Sequence, residues 1–162
     1  MCIRDRANPA GVRRQLMGVY DPFWLRPVAE TLRDLGTEAA WIVHGAGMDE
    51  LVLDDVNQVV SLKANEIREF GVTAADAGLA AAPASALKGG DAAYNAAALL
   101  ALLRGQAGAY RDTVLLNSAA ALIVAGRGET LPQGVELAAQ AIDRGDALAV
   151  LERLKRVSGE QA

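Results

Sequence analysis

Strand signals and helix signals are separated along this chain of 162 residues. Two or three segments before Thr73 have the alternation or the β-branched residues of strands, whereas four helical segments follow Asp91. A doubly wound α/β domain needs more strands than this. The pattern therefore predicts an α/β fold with a partial mixed or parallel sheet flanked by helices. Strands from outside this sequence would be needed to complete such a domain.

Two parts of the first half carry the strand signals. The run AAWIV at residues 39–43 is apolar throughout, which is typical of a buried parallel strand. Residues 58–62 and 66–72 alternate on either side of a short Ala-Asn turn. This second pattern predicts a hairpin at a sheet edge.

The helical segments are bounded by residues that commonly begin or end helices, with aspartates at N-cap positions and glycines after the last turn. The predicted helices are residues 12–17, 22–35, 92–104, 110–125, 132–145 and 147–157. The last of them is expected to turn Leu148, Leu151 and Leu154 towards the core.

The composition excludes several classes of protein. A net charge of −4, a pI near 5.0 and an aromatic content of 4% argue against a surface for nucleic acid or for anionic membranes. The single cysteine, Cys2, rules out an internal disulfide and a cysteine-based zinc site. No apolar stretch reaches the roughly 18 residues that span a bilayer, and no signal peptide is recognisable. We therefore expect a soluble, cytoplasmic protein.

The first six residues, MCIRDR, differ from the sequence that follows them. They carry three charges, show no periodicity, and run directly into sequence that reads like the middle of a protein. We interpret residues 1–6 as a non-native leader and residues 7–162 as the C-terminal portion of a longer chain.

The segment VHGAGMDEL leaves the buried strand through a glycine turn and then places Asp49 and Glu50 side by side. Ligands bind beyond strand ends in open α/β sheets, and neighbouring carboxylates attract a hard cation such as Mg²⁺. The alternative is that Asp49 caps a short helix with Glu50 in its first turn, so that neither binds a ligand. Spacing alone favours this helix-start interpretation.

Other polar groups give weaker signals. His44 follows the strand directly and, with Gly45, fits a hydrogen-bonded scaffold or a pocket wall. No neighbouring serine or cysteine supports a nucleophile–base pair. The glycine pair at 89–90 precedes a helix as in an anion site, but Asp91 occupies the place of the anion. The arginine pair at 13–14 is expected to be solvated or paired.

Taken together, these segments resemble anthranilate phosphoribosyltransferases in order and spacing, from about Ala7 to the end of the chain. The matching segments are NPAGVRRQLMGVYDP, VHGAGMDEL, LKGGD followed by NA, GAYRDTVLLNSAAALIVAG, and AIDRGDAL. Members of this family combine 5-phosphoribosyl-1-pyrophosphate with anthranilate to give N-(5-phosphoribosyl)anthranilate and pyrophosphate, an early step of tryptophan biosynthesis.

The resemblance implies the C-terminal part of the nucleoside phosphorylase/phosphoribosyltransferase α/β domain, in a Mg²⁺-dependent transferase that is a homodimer at full length. It assigns Asp49 and Glu50 to the family's acidic pair, which binds the Mg²⁺ carried by pyrophosphate, and so reverses the preference drawn from spacing. Pro9 and Ala10 match the segment that lines the anthranilate side. No protein nucleophile is needed for this reaction.

The sequence also departs from the family pattern. The glycine-rich phosphate loop GTGGD and a Lys-His-Gly-Asn segment do not occur in the 162 residues, and KGGD at residues 88–91 shares only letters with that loop. The resemblance thus implies that the parent protein is the enzyme and that this chain alone is inactive. Two alternatives stay open. One is a related phosphoribosyltransferase or pyrimidine-nucleoside-phosphorylase-like enzyme with another acceptor, and the other is a non-catalytic α/β module.

Overall fold

The computed structural model describes residues 11–159 and contains a mixed four-stranded sheet within them. Its strands are β1 Arg14–Gly18, β2 Ala39–His44, β3 Asn57–Lys63 and β4 Glu66–Val72. The strands lie in chain order, β1-β2-β3-β4. β1 and β2 are parallel, whereas β3 is antiparallel to both of its neighbours. The mixed sheet expected from the sequence is confirmed.

Helices flank this sheet on both faces and continue the chain beyond it. They are α1 Leu25–Asp34, α2 Ala92–Leu103, α3 Ala109–Val124, α4 Leu131–Asp143 and α5 Asp146–Gly159. Short 3₁₀ turns lie at Pro22–Trp24, Ala75–Ala77 and Ala84–Leu87. Over residues 11–159, every helix is too short or too polar to cross a bilayer.

β1 contradicts the helix predicted over residues 12–17. Residues 14–18 pair in parallel with residues 39–43 of β2, and Leu16 and Met17 point to opposite faces of the sheet. Pairing with a distant strand thus holds a segment of good helix formers extended. Helix propensity is a weak preference, and tertiary contacts override it here.

α1 covers one face of the sheet and, with the 3₁₀ turn that precedes it, occupies residues 22–34 of the helix predicted over residues 22–35. Asp21 Oδ1 accepts a hydrogen bond from the Phe23 N–H at 2.9 Å and so caps the 3₁₀ turn that leads into α1. The chain leaves α1 at Gly36, whose φ is 81°. The buried residues on this side are Val19, Leu25, Val28, Ala29, Leu32, Ala40, Ile42, Val60 and Leu62.

α3 covers the opposite face. Its residues Leu116, Ala119 and Ala120 are fully buried and pack in one cluster with Val43 of β2. Successive strand residues point to opposite faces, so Ile42 lies on the α1 side while Val43 lies on the α3 side. Burial of β2 on both faces explains why AAWIV is apolar throughout, and it confirms the predicted strand.

The predicted hairpin is confirmed in β3 and β4, and β4 is the edge strand opposite β1. Ala64 and Asn65 connect the strands with φ values of 50° and 69°. Two consecutive residues in the left-handed region are typical of a type I′ turn, whose twist matches that of paired strands.

The C-terminal helices have the predicted order, with one error in orientation. Asp91 Oδ1 accepts a hydrogen bond from the Tyr94 N–H at 2.8 Å and caps α2 as expected. The expectation that Leu154 faces inward is wrong, because its exposed fraction is 62%. Leu148 and Leu151, in the first half of α5, are half-buried. Only this first half turns apolar residues towards its neighbours.

Candidate functional site

The acid pair lies in the connection from β2 to β3, at the end of the sheet where the parallel strands β1 and β2 both finish. A tight turn opens this connection. The Gly45 N–H donates to the Met48 carbonyl at 3.1 Å, and the Met48 N–H donates to the Gly45 carbonyl at 2.7 Å. Ala46 and Gly47 at its centre have φ values of 45° and 80°. The predicted glycine turn is confirmed.

No helix begins at the acid pair. Residues 49–56 contain no helical turn, so the helix-start interpretation of Asp49 and Glu50 is wrong. The three residues that follow the pair, Leu51, Val52 and Leu53, are all buried. Burial of three consecutive side chains fits an irregular segment enclosed on several sides and not a surface helix, which buries one stripe.

Two glycines at the strand ends hold the backbone of the acid pair closely. A Cβ atom at Gly18, the last residue of β1, would overlap the carbonyl oxygen of Asp49. A Cβ atom at Gly45 would lie 2.7 Å from the carbonyl oxygen of Glu50 and would overlap Oδ1 of Asn57. Only glycine permits this approach of one backbone to another. The strand ends therefore fix the backbone from which both carboxylates project.

A buried amide holds the far side of the connection. Asn57 is fully buried, and its Oδ1 accepts a hydrogen bond from the Val52 N–H at 2.6 Å. Its Nδ2 donates to the carbonyls of Val52 and Val72, each at 2.9 Å. Every polar atom of this side chain thus has a partner, as burial of an amide requires. Asn57 was not among the predicted site residues, although an asparagine that begins an apolar strand is a readable signal.

A second amide reaches the connection from α3. Asn117 Oδ1 accepts a hydrogen bond from the Leu51 N–H at 3.0 Å, and its Nδ2 donates to the Leu51 carbonyl at 2.9 Å. Asn117 was not among the predicted site residues either. The available signal was one amide in the otherwise apolar stretch VLLNSAAALIV of α3.

The carboxylates themselves are exposed to solvent. Among residues 11–159, neither Asp49 nor Glu50 has a side-chain hydrogen bond or an ion pair. The nearest strands and helices thus fix the backbone of the pair and leave its oxygen atoms available to a ligand. The structure places these two predicted site residues beyond the C-terminal ends of β1 and β2.

The donor set fits a partial magnesium site. Nowhere in the described range do three or more His, Cys, Asp or Glu side chains gather as a group that could hold a metal ion. Two carboxylates nevertheless suit Mg²⁺, which is usually bound through one or two carboxylates together with water and substrate phosphates. Asp49 and Glu50 therefore fit a metal that arrives with a phosphorylated substrate.

His44, the last residue of β2, is part of the scaffold beside the acid pair. Its side chain is 8% exposed, and Nδ1 lies 2.9 Å from the carbonyl oxygen of Val19, to which it donates. This bond ties the end of β2 to the residue after β1, as the scaffold interpretation predicted. A role for His44 and Gly45 as pocket wall stays a prediction.

The weaker motifs lie elsewhere and are engaged in local contacts. Arg13 and Arg14, at the opposite end of β1, pair with Glu38 at 3.1 and 3.4 Å. Arg14 Nη1 also donates to the Ala125 carbonyl at 2.8 Å. The Gly90 N–H donates to a side-chain amide oxygen of α2 at 2.9 Å. The arginines are thus paired, as expected, and the glycine pair is bonded to the helix that follows it.

The remaining predicted site residues, Pro9 and Ala10, lie outside the described residues, as does the interpreted leader at residues 1–6. Gly11 is the first residue that the structure describes. Their assignment to the acceptor side stays a prediction.

Residues 7–148 match the model of the family described as "Glycosyl transferase family, a/b domain". The anthranilate phosphoribosyltransferase of Mesorhizobium japonicum is 55% identical over 152 residues, which are 94% of this chain and 45% of that protein. The protein of the same name from Chelativorans sp. is 50% identical over 155 residues, 96% of this chain and 46% of its own length. The chain thus spans a little under half the length of these curated relatives.

Solved structures agree in fold. Anthranilate phosphoribosyltransferase from Thermus thermophilus superposes with a TM-score of 0.78 at 41% identity, over 84% of this chain and 40% of that chain. The Saccharomyces cerevisiae enzyme in complex with PRPP and Mg superposes with a TM-score of 0.77 over 86% of this chain and 41% of that chain. Its identity of 23% supports the fold alone. From the family match and the shared fold, we conclude that this chain belongs to the glycosyl transferase family with this α/β domain.

Proposed function

We propose that this chain is the part of a Mg²⁺-dependent anthranilate phosphoribosyltransferase that carries the acid pair Asp49-Glu50. The observation that carries the proposal is the exposed Asp49-Glu50 pair, whose backbone is fixed at the end of two parallel strands. The relatives' names supply the reaction, and the complex of the yeast enzyme with PRPP and Mg supports the metal and the donor substrate. The yeast complex with 4-fluoroanthranilate supports the acceptor.

The proposed reaction exchanges one bond at C1 of the ribose. The bond from C1 to the diphosphate oxygen breaks and its electron pair leaves with diphosphate. The amino nitrogen of anthranilate forms the new bond to C1 and then loses a proton. Since the ribose centre becomes oxocarbenium-like, the enzyme's main tasks are to position the substrates and to stabilise the leaving group.

Asp49 and Glu50 would hold the metal, and a bound divalent cation neutralises negative charge on departing diphosphate. The chain's own contribution is a backbone that close packing holds in place. Gly18 and Gly45 pack against that backbone, and the His44 bond to Val19 keeps the two strand ends together. Preorganisation of this kind avoids reorganisation during the reaction.

The proposal includes the remaining parts of the family resemblance. Pro9 and Ala10 would line the acceptor side, and His44 with Gly45 would form the wall beside the acid pair. The full-length protein would be a cytoplasmic homodimer acting in tryptophan biosynthesis.

A hybrid enzyme tests the function. This chain would replace the matching segment of the Mesorhizobium japonicum relative, and product formation from PRPP and anthranilate would be measured against Mg²⁺ concentration. We expect turnover by the hybrid but not by the isolated chain, because the sequence contains no GTGGD loop. We also expect the double substitution Asp49→Asn with Glu50→Gln to lower kcat by about 10²-fold or more, since charge stabilisation at the leaving group is lost.

A control removes two exposed carboxylates elsewhere, with Asp34→Asn and Glu66→Gln, whose side chains are 71% and 68% exposed. This variant should keep the hybrid's rate and Mg²⁺ dependence. An unchanged rate and Mg²⁺ response in the acid-pair variant would refute the proposed metal role. Turnover with another amine acceptor but not with anthranilate would refute the proposed substrate.

A further inference from the structure

We propose that Asn117 is a positioning residue for the acid pair, holding the chain directly after Glu50 so that both carboxylates face the metal–diphosphate. The inference rests on the proposed function, because it assigns a role within the same site. Asn117 belongs to α3, and its partner Leu51 lies 66 positions earlier in the sequence. The contact therefore joins a helix on the α3 face of the sheet to the connection that carries the site.

The amide of Asn117 is fully used. Its Oδ1 accepts from the Leu51 N–H at 3.0 Å, while Nδ2 donates to the Leu51 carbonyl at 2.9 Å. Nδ2 also donates to the Thr113 carbonyl at 3.0 Å, one turn earlier in α3. Donor and acceptor on one side chain thus hold both polar groups of a single backbone residue. This two-point contact fixes the orientation of that residue as well as its location.

The contact holds the residue directly after the acid pair. On the side before the pair, the backbone is bounded by the turn from Gly45 to Met48 and by Gly18. On the side after it, Leu51 is buried, and its two backbone polar groups bond to Asn117. Loss of the amide would leave those groups without partners and allow the segment to move.

The helix that carries Asn117 is packed against the sheet. α3 is buried against the sheet through Leu116 and Ala120, which lie one residue before and three residues after Asn117. The backbone of Asp49 and Glu50 is tied through Asn117 to this packed helix. We expect it to keep its place when a charged substrate binds. Groups that orient the ligands of a metal typically change its affinity by 10–100-fold when they are removed. A displacement of about 1 Å is enough to reduce catalysis strongly.

The contact with Leu51 needs an acceptor and a donor on one side chain, and the amide of Asn117 supplies both. Aspartate has the same shape but cannot donate, so Asn117→Asp would lose the bonds to the Leu51 and Thr113 carbonyls. Alanine would lose all three bonds. Thr113→Val provides a control on the same helix, because the Thr113 hydroxyl donates to the Ala109 carbonyl at 2.9 Å. Asn117 contacts only the backbone carbonyl of Thr113, which valine keeps.

The test titrates a Mn²⁺–pyrophosphate probe with the 162-residue chain and follows water-proton relaxation, with Mn²⁺ standing for Mg²⁺. We expect Asn117→Ala to weaken binding of the probe about tenfold. We expect Asn117→Asp to weaken it to a similar extent, and Thr113→Val to bind within about twofold of the wild type. Amide hydrogen exchange gives an independent readout. The exchange rate of the Leu51 N–H should rise in Asn117→Ala and should equal that of the wild type in Thr113→Val.

The outcomes separate this inference from the proposed function. Failure of the wild-type chain to bind the probe, or equal binding by the Asp49→Asn, Glu50→Gln double variant, overturns the metal site and the inference with it. Binding that needs the acid pair but is unchanged in Asn117→Ala overturns only the role of Asn117. Equal weakening by Thr113→Val makes Asn117 merely structural and also overturns it. If Asn117→Ala does not fold, the isosteric Asn117→Asp variant decides by the same criteria.

Discussion

At the residue scale, the site depends more on small and amide side chains than on charged ones. Gly18 and Gly45 admit the backbone of the acid pair at a distance that no other residue allows. Asn57 and Asn117 then satisfy the buried polar groups of the following residues. The carboxylates project from this frame without any ionic partner in residues 11–159.

The close approach at Gly18 gives a direct prediction. A Cβ atom there would overlap the Asp49 carbonyl, which is backbone and cannot rotate away. We expect Gly18→Ala to lower the free energy of unfolding by about 1–3 kcal/mol, the usual range for overpacking, and to displace the acid pair. Urea denaturation of the 162-residue chain measures the first effect, and Mn²⁺–pyrophosphate binding measures the second.

Gly128→Ala is the control for this substitution. A Cβ atom at Gly128 would meet no atom closer than 3.7 Å, so we expect a change within about 0.5 kcal/mol. If Gly18→Ala and Gly128→Ala unfold at the same urea concentration, the close approach at Gly18 has no energetic consequence and the prediction is wrong.

At the element scale, local signals identified most helices and strands, and long-range pairing explains the failures. Caps and periodicity located the hairpin, the buried strand and the C-terminal helices within a few residues of their bounds. β1 was missed because its extended form exists only through pairing with residues 39–43. The partner of Asn117 could not be predicted for a similar reason, since 66 residues separate Asn117 from Leu51. The acid pair was singled out because its two carboxylates are adjacent in the sequence, but its assignment to a metal came from the family resemblance and stays a prediction.

The turn after β4 carries a pH-dependent contact. Asp76 Oδ2 accepts hydrogen bonds from the Thr73 hydroxyl at 2.7 Å and from the Thr73 N–H at 2.8 Å. These two bonds, the hydroxyl first, lower the pKa of Asp76 below its usual 3.8. The folded state therefore binds the proton less readily than the unfolded state. Its stabilisation is present above the unfolded pKa and is lost as pH falls through the folded pKa.

We accordingly expect Asp76→Asn to have a lower Tm than the wild type at neutral pH, with a difference that narrows as pH falls below 3.8. Thermal unfolding followed by circular dichroism across that range measures this difference. Thr73→Val, which removes the hydroxyl donor, should weaken the pH dependence. A difference in Tm that widens in acid would contradict the assigned direction of the pKa shift.

At the scale of the whole molecule, the helical side is less buried than its composition suggests. α2 has the sequence AAYNAAALLALL, yet Leu102 is its one buried residue. In α5, Val150, Leu154 and Val157 are 68%, 62% and 49% exposed, and no residue is buried. Exposed apolar surface of this kind promotes association.

Leu154→Lys tests the consequence for solution behaviour. The long side chain can keep its charge in water at this exposed position, so we expect the free energy of unfolding to change by no more than about 0.5 kcal/mol. Sedimentation velocity should show less self-association than in the wild type. Leu116→Lys, at a fully buried position, should instead prevent folding. Undiminished self-association of Leu154→Lys would show that α5 does not drive it.

The connection between β2 and β3 has a wider consequence for how this fold can diversify. β2 and β3 are antiparallel neighbours, and such strands need a link of only about two to five residues, whereas here His44 and Asn57 are separated by residues 45–56. Most of that length is surplus to closing the sheet. Insertions or deletions confined to its exposed residues 46–50 would reshape the candidate site while every strand keeps its register and residues 51–53 stay buried. Evolution could thus change the ligand bound by this connection without changing the strands that support it.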